Sequence, residues 1–115
     1  ITDRSERFLC AEIVREKLVR RLGDELPYRL TVQIDNFENH TDLIYINAII
    51  WVERPGQKAI VIGKKGQILK EIGEEARKDM EKLLEQKVFL QSWVKVKQGW
   101  CDDERILHQL GYTED

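Results

Sequence analysis

The sequence predicts an α+β domain, a small three-stranded sheet with helices packed over one face. Two observations carry this. Segments with helical and with strand periodicity follow one another in the order α-β-β-α-α-β-α. The 115 residues, 42% hydrophobic and 35% charged, suffice for one buried core and exclude a disordered chain. No apolar run approaches the roughly 18 residues of a membrane span, and the opening ITDRSERF lacks the apolar centre of a signal peptide. The expectation is a single domain covering residues 1–115.

Residues 3–22 read as the first helix. Asp3 and Glu6 have capping-box spacing, and Phe8, Ala11, Val14, Leu18 and Leu22 are the expected buried face. Gly23 ends it, and Arg20 and Arg21 suit its negative C-terminal end. Residues 28–34 alternate, with Tyr28, Leu30, Val32 and Ile34 on one side, and read as a half-buried strand. The polar run 35–42 reads as a hairpin loop. Residues 43–52 (LIYINAIIWV) are β-branched and aromatic, a more deeply buried strand.

Pro55 and Gly56 turn the chain. Residues 58–62 are compatible with strand by composition, but their place before a glycine pair favours a brief helix. A long amphipathic helix follows, burying Ile68, Leu69, Ile72, Ala76, Met80, Leu83 and Leu84, with Gly73 inside it allowing close packing. Residues 88–97 read as the third strand. Trp93, Lys95 and Lys97 share one face, and Phe89, Ser92, Val94 and Val96 are imperfectly in phase on the other. Residues 102–110 read as a short last helix, started by Asp102 or Asp103 and stopped by Gly111.

Charge is distributed unevenly. The whole chain carries a formal charge of −2, yet residues 57–70 hold four lysines and no acid, and residues 87–100 hold three lysines and no acid. The intervening 71–85 is net −3 and the tail 101–115 net −4. Two acid-free basic stretches suit one local surface for a nucleic-acid backbone, if the loop and the last strand converge. A solvated strand face and a turn rich in lysine are the plainer reading of the same residues. Gly63 and Gly66 bracket Lys64 and Lys65 immediately before a helix. Glycine permits positive φ and close backbone approach, and the free N–H groups there can receive a phosphate. Set between Ile60-Val61-Ile62 and Ile68-Leu69, this is the pattern of a KH module, whose GxxG loop clamps a short single strand.

The chain as a whole resembles the C-terminal KH domain of the bacterial Era GTPase family. The resemblance is carried by DRSERF (3–8), EIVREKL (12–18), GDELPY (23–28), VIGKKG (61–66), IGEEARKDME (72–81), WVKVKQGW (93–100) and DDERILHQLGY (102–112), in order over nearly the full length. It implies a type II KH fold with a three-stranded mixed sheet, helices on one face and an extra C-terminal helix. It implies a GTP-binding domain upstream, which accounts for a chain starting at Ile1, and GTP and Mg confined to that domain, with no cofactor here. Its expected partners are the 3′ end of 16S ribosomal RNA and the 30S subunit. The chain itself is expected to be a monomer. The expected location is cytoplasmic, any membrane association of the parent being peripheral. Carried onto this chain, Ile62, Gly63, Lys64, Lys65 and Gly66 border the cleft and Lys64 and Lys65 meet phosphates. Ile60 and Ile68 form an apolar floor near the strand 43–52. With Lys70, Lys95 and Lys97 from the basic stretches, these are the candidate RNA-contacting residues.

Other readings are weighed beside it. Trp93 and Trp100 either stack on RNA or are covered by packing under the last helix, and Trp51 suits the core. Arg15 and Lys17 either extend the positive surface or are ordinary solvated helix residues. His40 and His108 have no partner at useful spacing, and Cys10 and Cys101 show neither a disulfide framework nor zinc spacing, which suits a reducing compartment. GKKG does not extend to GxxxxGK[ST], so the chain alone is not expected to bind or hydrolyse GTP. A nuclease would need an acid–base pair or a metal cluster that the sequence does not offer. The competing function is a protein-interaction module, its acidic helix 71–85 and acidic tail docking a ribosomal protein or the upstream GTPase domain.

Overall fold

The structure, a computed structural model, describes residues 3–97. Helix α1 spans Asp3–Leu22 and ends at Gly23, whose φ is +52°, before a single 3-10 turn at Gly23–Glu25. Cys10, Val14, Leu18 and Leu22 form its buried stripe. Phe8, expected there, is exposed. It stands six positions before Val14, about 120° round the helix, so the two cannot share a narrow face. Lys17 lies on the buried stripe instead, its ammonium paired with Asp79 and Glu16.

Strand β1 spans Thr31–Asn39 and strand β2 spans Ile44–Val52, paired antiparallel from Thr31↔Trp51 to Asn39↔Ile44. The first strand therefore starts later and runs longer than the expected 28–34, and most of the expected loop 35–42 is strand. Tyr28 precedes it and is 95% exposed. The physical reason is a bulge between Ile34 and Asn36. Before it the even residues Val32 and Ile34 are buried; after it the odd residue Phe37 is. One extra residue reverses the alternation, so the second half no longer reads as a continuation of the first.

Helix α2 spans Pro55–Ile62, with proline at its first position and Gln57 Oε1 accepting the backbone N–H groups of Glu53 and Arg54 at 2.9 Å. A proline start and a satisfied cap override the strand-like composition of its last residues. A 3-10 turn, Lys64–Gly66, leads into α3, Gln67–Leu84, which buries Ile72, Ala76 and Met80 at four-residue spacing. Leu83, expected on that face, is exposed. Strand β3, Val88–Val96, then joins β2 in parallel, giving a mixed sheet of order β1-β2-β3. Phe89 lies with Trp93 and not with Val94, because the strand alternates without a break: Val88 and Val94 are buried, Phe89, Gln91, Trp93 and Lys95 exposed.

All described helices cover one face. The core joins Val14 and Leu18 of α1, Ile46, Ala48 and Ile50 of β2, Val61 of α2 and Ile72 and Met80 of α3. Each fully buried large aliphatic here contributes about 1.5–3 kcal/mol over its exposed state. Polar ties add register: the Arg7 guanidinium donates to Ile34 O at 3.3 Å and that of Arg15 to Leu30 O at 3.0 Å, and Arg21 pairs with Glu71 and, at 2.9 Å, with Glu75. Arg15 and Lys17 thus hold α1 in place and do not extend a free positive surface. The expected helix 102–110, with Trp100, Cys101 and His108, lies outside the described residues.

Candidate nucleic-acid interface

The loop between α2 and α3 is built on left-handed backbone. Gly63 (φ 76°, ψ 178°) occupies a region open only to glycine, while Lys65 (φ 56°) and Gly66 (φ 74°) are left-handed. The Gly63 N–H donates to Ala59 O at 2.9 Å and the Gly66 N–H to Gly63 O at 3.2 Å, so the turn is closed by its own backbone. A Cβ on Gly63 would lie 2.5 Å from Ile68 Cγ1 and 2.8 Å from Ile68 Cβ; a Cβ on Gly66 would meet nothing. Ile68 therefore packs on the bare backbone of Gly63. Lys64 and Lys65 are exposed at the tip of this turn.

Beside the loop runs an open groove of about 360 Å³ between α3 and the edge strand β3. Gly66, Leu69, Lys70, Gly73, Glu74 and Arg77 line one wall and Leu90 and Ser92 the other. Gly73 keeps the floor low: a Cβ there would touch Ser92 Oγ at 3.6 Å. Leu69, Gly73 and Leu90 supply apolar floor, Lys70 a cation, and Glu74 and Ser92 polar groups. The Arg77 guanidinium is held by Glu81 at 3.1 Å, and the other oxygen of Glu81 accepts the Val88 N–H at 3.0 Å, which fixes the start of β3 against α3.

Of the candidate residues, the structure brings Gly63, Lys64, Lys65, Gly66 and Lys70 to one end of this groove. Ile60 and Ile62 belong to α2, Ile60 partly exposed and Ile62 packed against the core. Ile68 is engaged by Gly63. Lys95, and Lys97 by strand alternation, lie on the opposite face of the sheet and do not join the loop. The strand opposite the helix is 88–96 and not the expected 43–52, because the parallel β2–β3 pairing puts β2 at the centre of the sheet and leaves β3 at the edge beside α3. Leu69, Gly73, Glu74, Arg77, Leu90 and Ser92 line the groove although the sequence alone does not mark them. Sequence shows that Gly73 sits at an odd place for a helix, but only the α3–β3 contact makes it a groove floor.

The remaining chemistry is quiet. The Cys10 thiol is buried, and burial, with Glu6 nearby, pushes its pKa up to about 12, so it is not a nucleophile. His40 Nε2 lies 3.2 Å from Glu38 Oε1, and Glu38 is held below the usual carboxylate range by hydrogen bonds from Asn36 and His40. Among the described residues no group of three or more His, Cys, Asp or Glu side chains could hold a metal ion, and no helix is long and apolar enough to cross a membrane.

The family model described as KH domain matches residues 25–101. The GTPase Era of Azotobacter vinelandii is 59% identical over 114 residues, covering 99% of this chain and 38% of that protein. The GTPase Era of Vibrio vulnificus is 60% identical over 117 residues, covering all of this chain and 37% of that protein. The chain thus spans under two-fifths of the length of these curated relatives. Among solved structures, Era in complex with MgGDPNP and nucleotides 1506–1542 of 16S ribosomal RNA superposes with a TM-score of 0.85 at 39% identity, over 94% of this chain and 37% of that one. An Aquifex aeolicus Era variant bound to GDP·AlF4− superposes with a TM-score of 0.84, also at 39% identity, over 94% of this chain and 37% of that one.

Proposed function

The chain belongs to the KH domain family, as the KH domain of an Era-type GTPase, and on that premise we propose that it binds single-stranded RNA in the groove between α3 and β3, with the Gly63–Gly66 loop clamping the backbone. The observation that carries the reading is the junction of loop and groove. A backbone turn with two exposed lysines and no acid stands at the mouth of an apolar floor kept clear by Gly73. Phosphates meet Lys64, Lys65 and Lys70, and bases lie over Leu69, Gly73 and Leu90. Phosphate contacts position the strand; Glu74 and Ser92 are the groups left to read base edges. This is a binding module without chemistry of its own.

The RNA we propose is the 3′ end of 16S ribosomal RNA, in keeping with the nucleotides bound by the related Era. The same reading places the chain in the RNA-binding part of a monomeric GTPase acting in 30S assembly. GTP and Mg are held by an upstream domain, and the parent is cytoplasmic, with any membrane contact peripheral. The interaction-module alternative rests on the acidic helix and on the acidic tail 101–115, which lies outside the described residues. Glu71 and Glu75 pair with Arg21, Asp79 with Lys17 and Glu81 with Arg77, so four of the helix's six acids are already engaged within the chain.

The test is a titration of the 115-residue chain with a short RNA copied from that 3′ end, beside a scrambled RNA of equal composition, over a salt series. Selective binding that weakens as salt rises is expected, with Lys64→Glu/Lys65→Glu losing at least tenfold in affinity while its thermal midpoint stays within a few degrees. Equal weak binding to both RNAs, unmoved by the double substitution, would sink the reading.

A further inference from the structure

We propose that the face of the sheet on which no described helix lies is a second contact surface for single-stranded RNA, on its β2–β3 half, continuing the path that the groove begins. The inference rests on the groove reading for where the strand enters. No described helix lies on this face. Three aromatic side chains stand out from it: Tyr45 is 41% exposed, Phe89 47% and Trp93 50%. Tyr45 and Phe89 are cross-strand partners whose rings meet edge to face at 5.6 Å, and Trp93 is two positions further along the same face of β3 in the alternation. Isolated apolar residues on a surface need no explanation, but three large rings on two neighbouring strands form a platform.

The rings are held before any ligand arrives. Trp93 Nε1 donates to Asn47 Oδ1 at 2.7 Å, and Asn47 Nδ2 donates in turn to Asp35 Oδ2 at 3.3 Å. A ring pinned by its edge loses little freedom when a base stacks on it. Along β3 the charge has one sign. Lys87 precedes β3, Lys95 lies on the same face, Lys97 follows, and no acid occurs between Lys87 and Trp100. Aromatic rings flanked by cations are the chemistry of base stacking with phosphate neutralisation, whereas the centre of a protein–protein contact is depleted in lysine. The β1 side of the face carries Asp35 and Glu38, which repel a phosphate chain and confine it to β2 and β3.

Continuity follows from the edge strand. β3 shows Leu90 and Ser92 to the groove and Phe89, Gln91 and Trp93 to the other side. A strand of RNA leaving the groove over the free edge of β3 has one β-strand to cross, about 5 Å, before it meets the rings. This gives Lys95 and Lys97 a place on the RNA path although they are absent from the groove.

Length dependence tests it. A four-nucleotide RNA fills a KH groove, and one of about ten nucleotides extends beyond it. With the full 115-residue chain, Trp93→Ala is expected to leave the affinity for the short RNA unchanged and to lower that for the long RNA about tenfold, the usual worth of one base–aromatic stack. Trp93→Phe, which keeps a ring, restores long-RNA binding; Trp93→Leu, which keeps apolar bulk only, does not. Lys64→Glu/Lys65→Glu lowers both, which reports on the groove separately. Equal affinities of Trp93→Ala and the parent for the long RNA would overturn the second surface while leaving the groove intact, and point the face towards a protein. An equal loss on both RNAs, or full activity of Trp93→Leu, would overturn it as well.

Discussion

Gly63 and Gly66 share a positive φ but not a neighbourhood, and that difference is measurable. Gly63 sits in a glycine-only region with Ile68 against its backbone; Gly66 sits in an ordinary left-handed region facing open space. Gly66→Ala should cost about 1–2 kcal/mol, the left-handed cost alone. Gly63→Ala adds a collision with a Cβ-branched side chain that cannot swing away, so it should exceed Gly66→Ala by at least about 1 kcal/mol. Gly66→Asn should be nearly neutral, since asparagine tolerates that backbone, and Gly63→Asn should not. Urea unfolding of the four variants orders them, and a Gly66→Ala as damaging as Gly63→Ala would contradict the geometry. At this scale the sequence was informative about residue type and less so about role. The glycine pair and its lysines were legible because their chemistry is local. Ile68 was expected as a floor for bases, yet it is the side chain that packs the loop, because only the folded turn brings Gly63 onto it.

Between elements, the pairing of α3 with β3 makes the groove, and Gly73 is its test. Glycine inside a helix costs about 1 kcal/mol against alanine, and the Cβ of an alanine would reach only ordinary contact with Ser92. Gly73→Ala should therefore raise the thermal midpoint by a few degrees while weakening RNA binding, and Gly73→Leu should abolish binding in a folded chain. If Gly73→Leu bound RNA as the parent does, bases would not lie between α3 and β3. Element identity was largely readable: α1, β2, α3 and β3 fall within a residue or two of their expected limits. β1 was misjudged because alternation is a parity test and the bulge at Ile34–Asn36 changes parity midway. The polar sequence DNFENHTD then looks like a loop, although Phe37 is core. The strand facing the groove was misassigned because adjacency in the sheet depends on the parallel β2–β3 pairing, which no periodicity reports.

Over the whole molecule, α1 is fastened to α3 by charge. Lys17 is buried, and its hydrogen bond to Asp79 raises its pKa above the usual lysine value despite the opposing effect of burial; the same bond lowers that of Asp79. The signs set a window. The contribution of Asp79 is present above the unfolded carboxylate pKa of about 3.9 and is lost as pH falls through its depressed folded value. The contribution of Lys17 is complete below about 10.4 and is lost as pH rises through its raised folded value. Asp79→Asn should destabilise the chain by about 1–3 kcal/mol at pH 7, because a buried ammonium loses its main partner. The same substitution should matter little below about pH 2, where the parent carboxyl is protonated too. Lys17→Met should cost less, since an apolar side chain suits the site and Asp79 is part-exposed. Denaturant midpoints across pH check both; a pH-independent Asp79→Asn effect would place the loss in packing. This bridge was not legible in the sequence, where Lys17 and Asp79 stand 62 positions apart on helices that each look self-sufficient.

In the sheet of order β1-β2-β3, no further strand among the described residues pairs with the outer side of β1 or of β3, the arrangement from which strands of separate molecules stack into aggregates. β1 is guarded by its bulge, which bends the ladder out of register for a newcomer. β3 is guarded by Lys87, Lys95 and Lys97, whose charge repels a second copy of the same strand. Residues on the proposed RNA path thus also oppose pairing at the edge of their own strand. Neutral replacements at these three positions would remove both roles at once, so turbidity must be followed alongside RNA affinity.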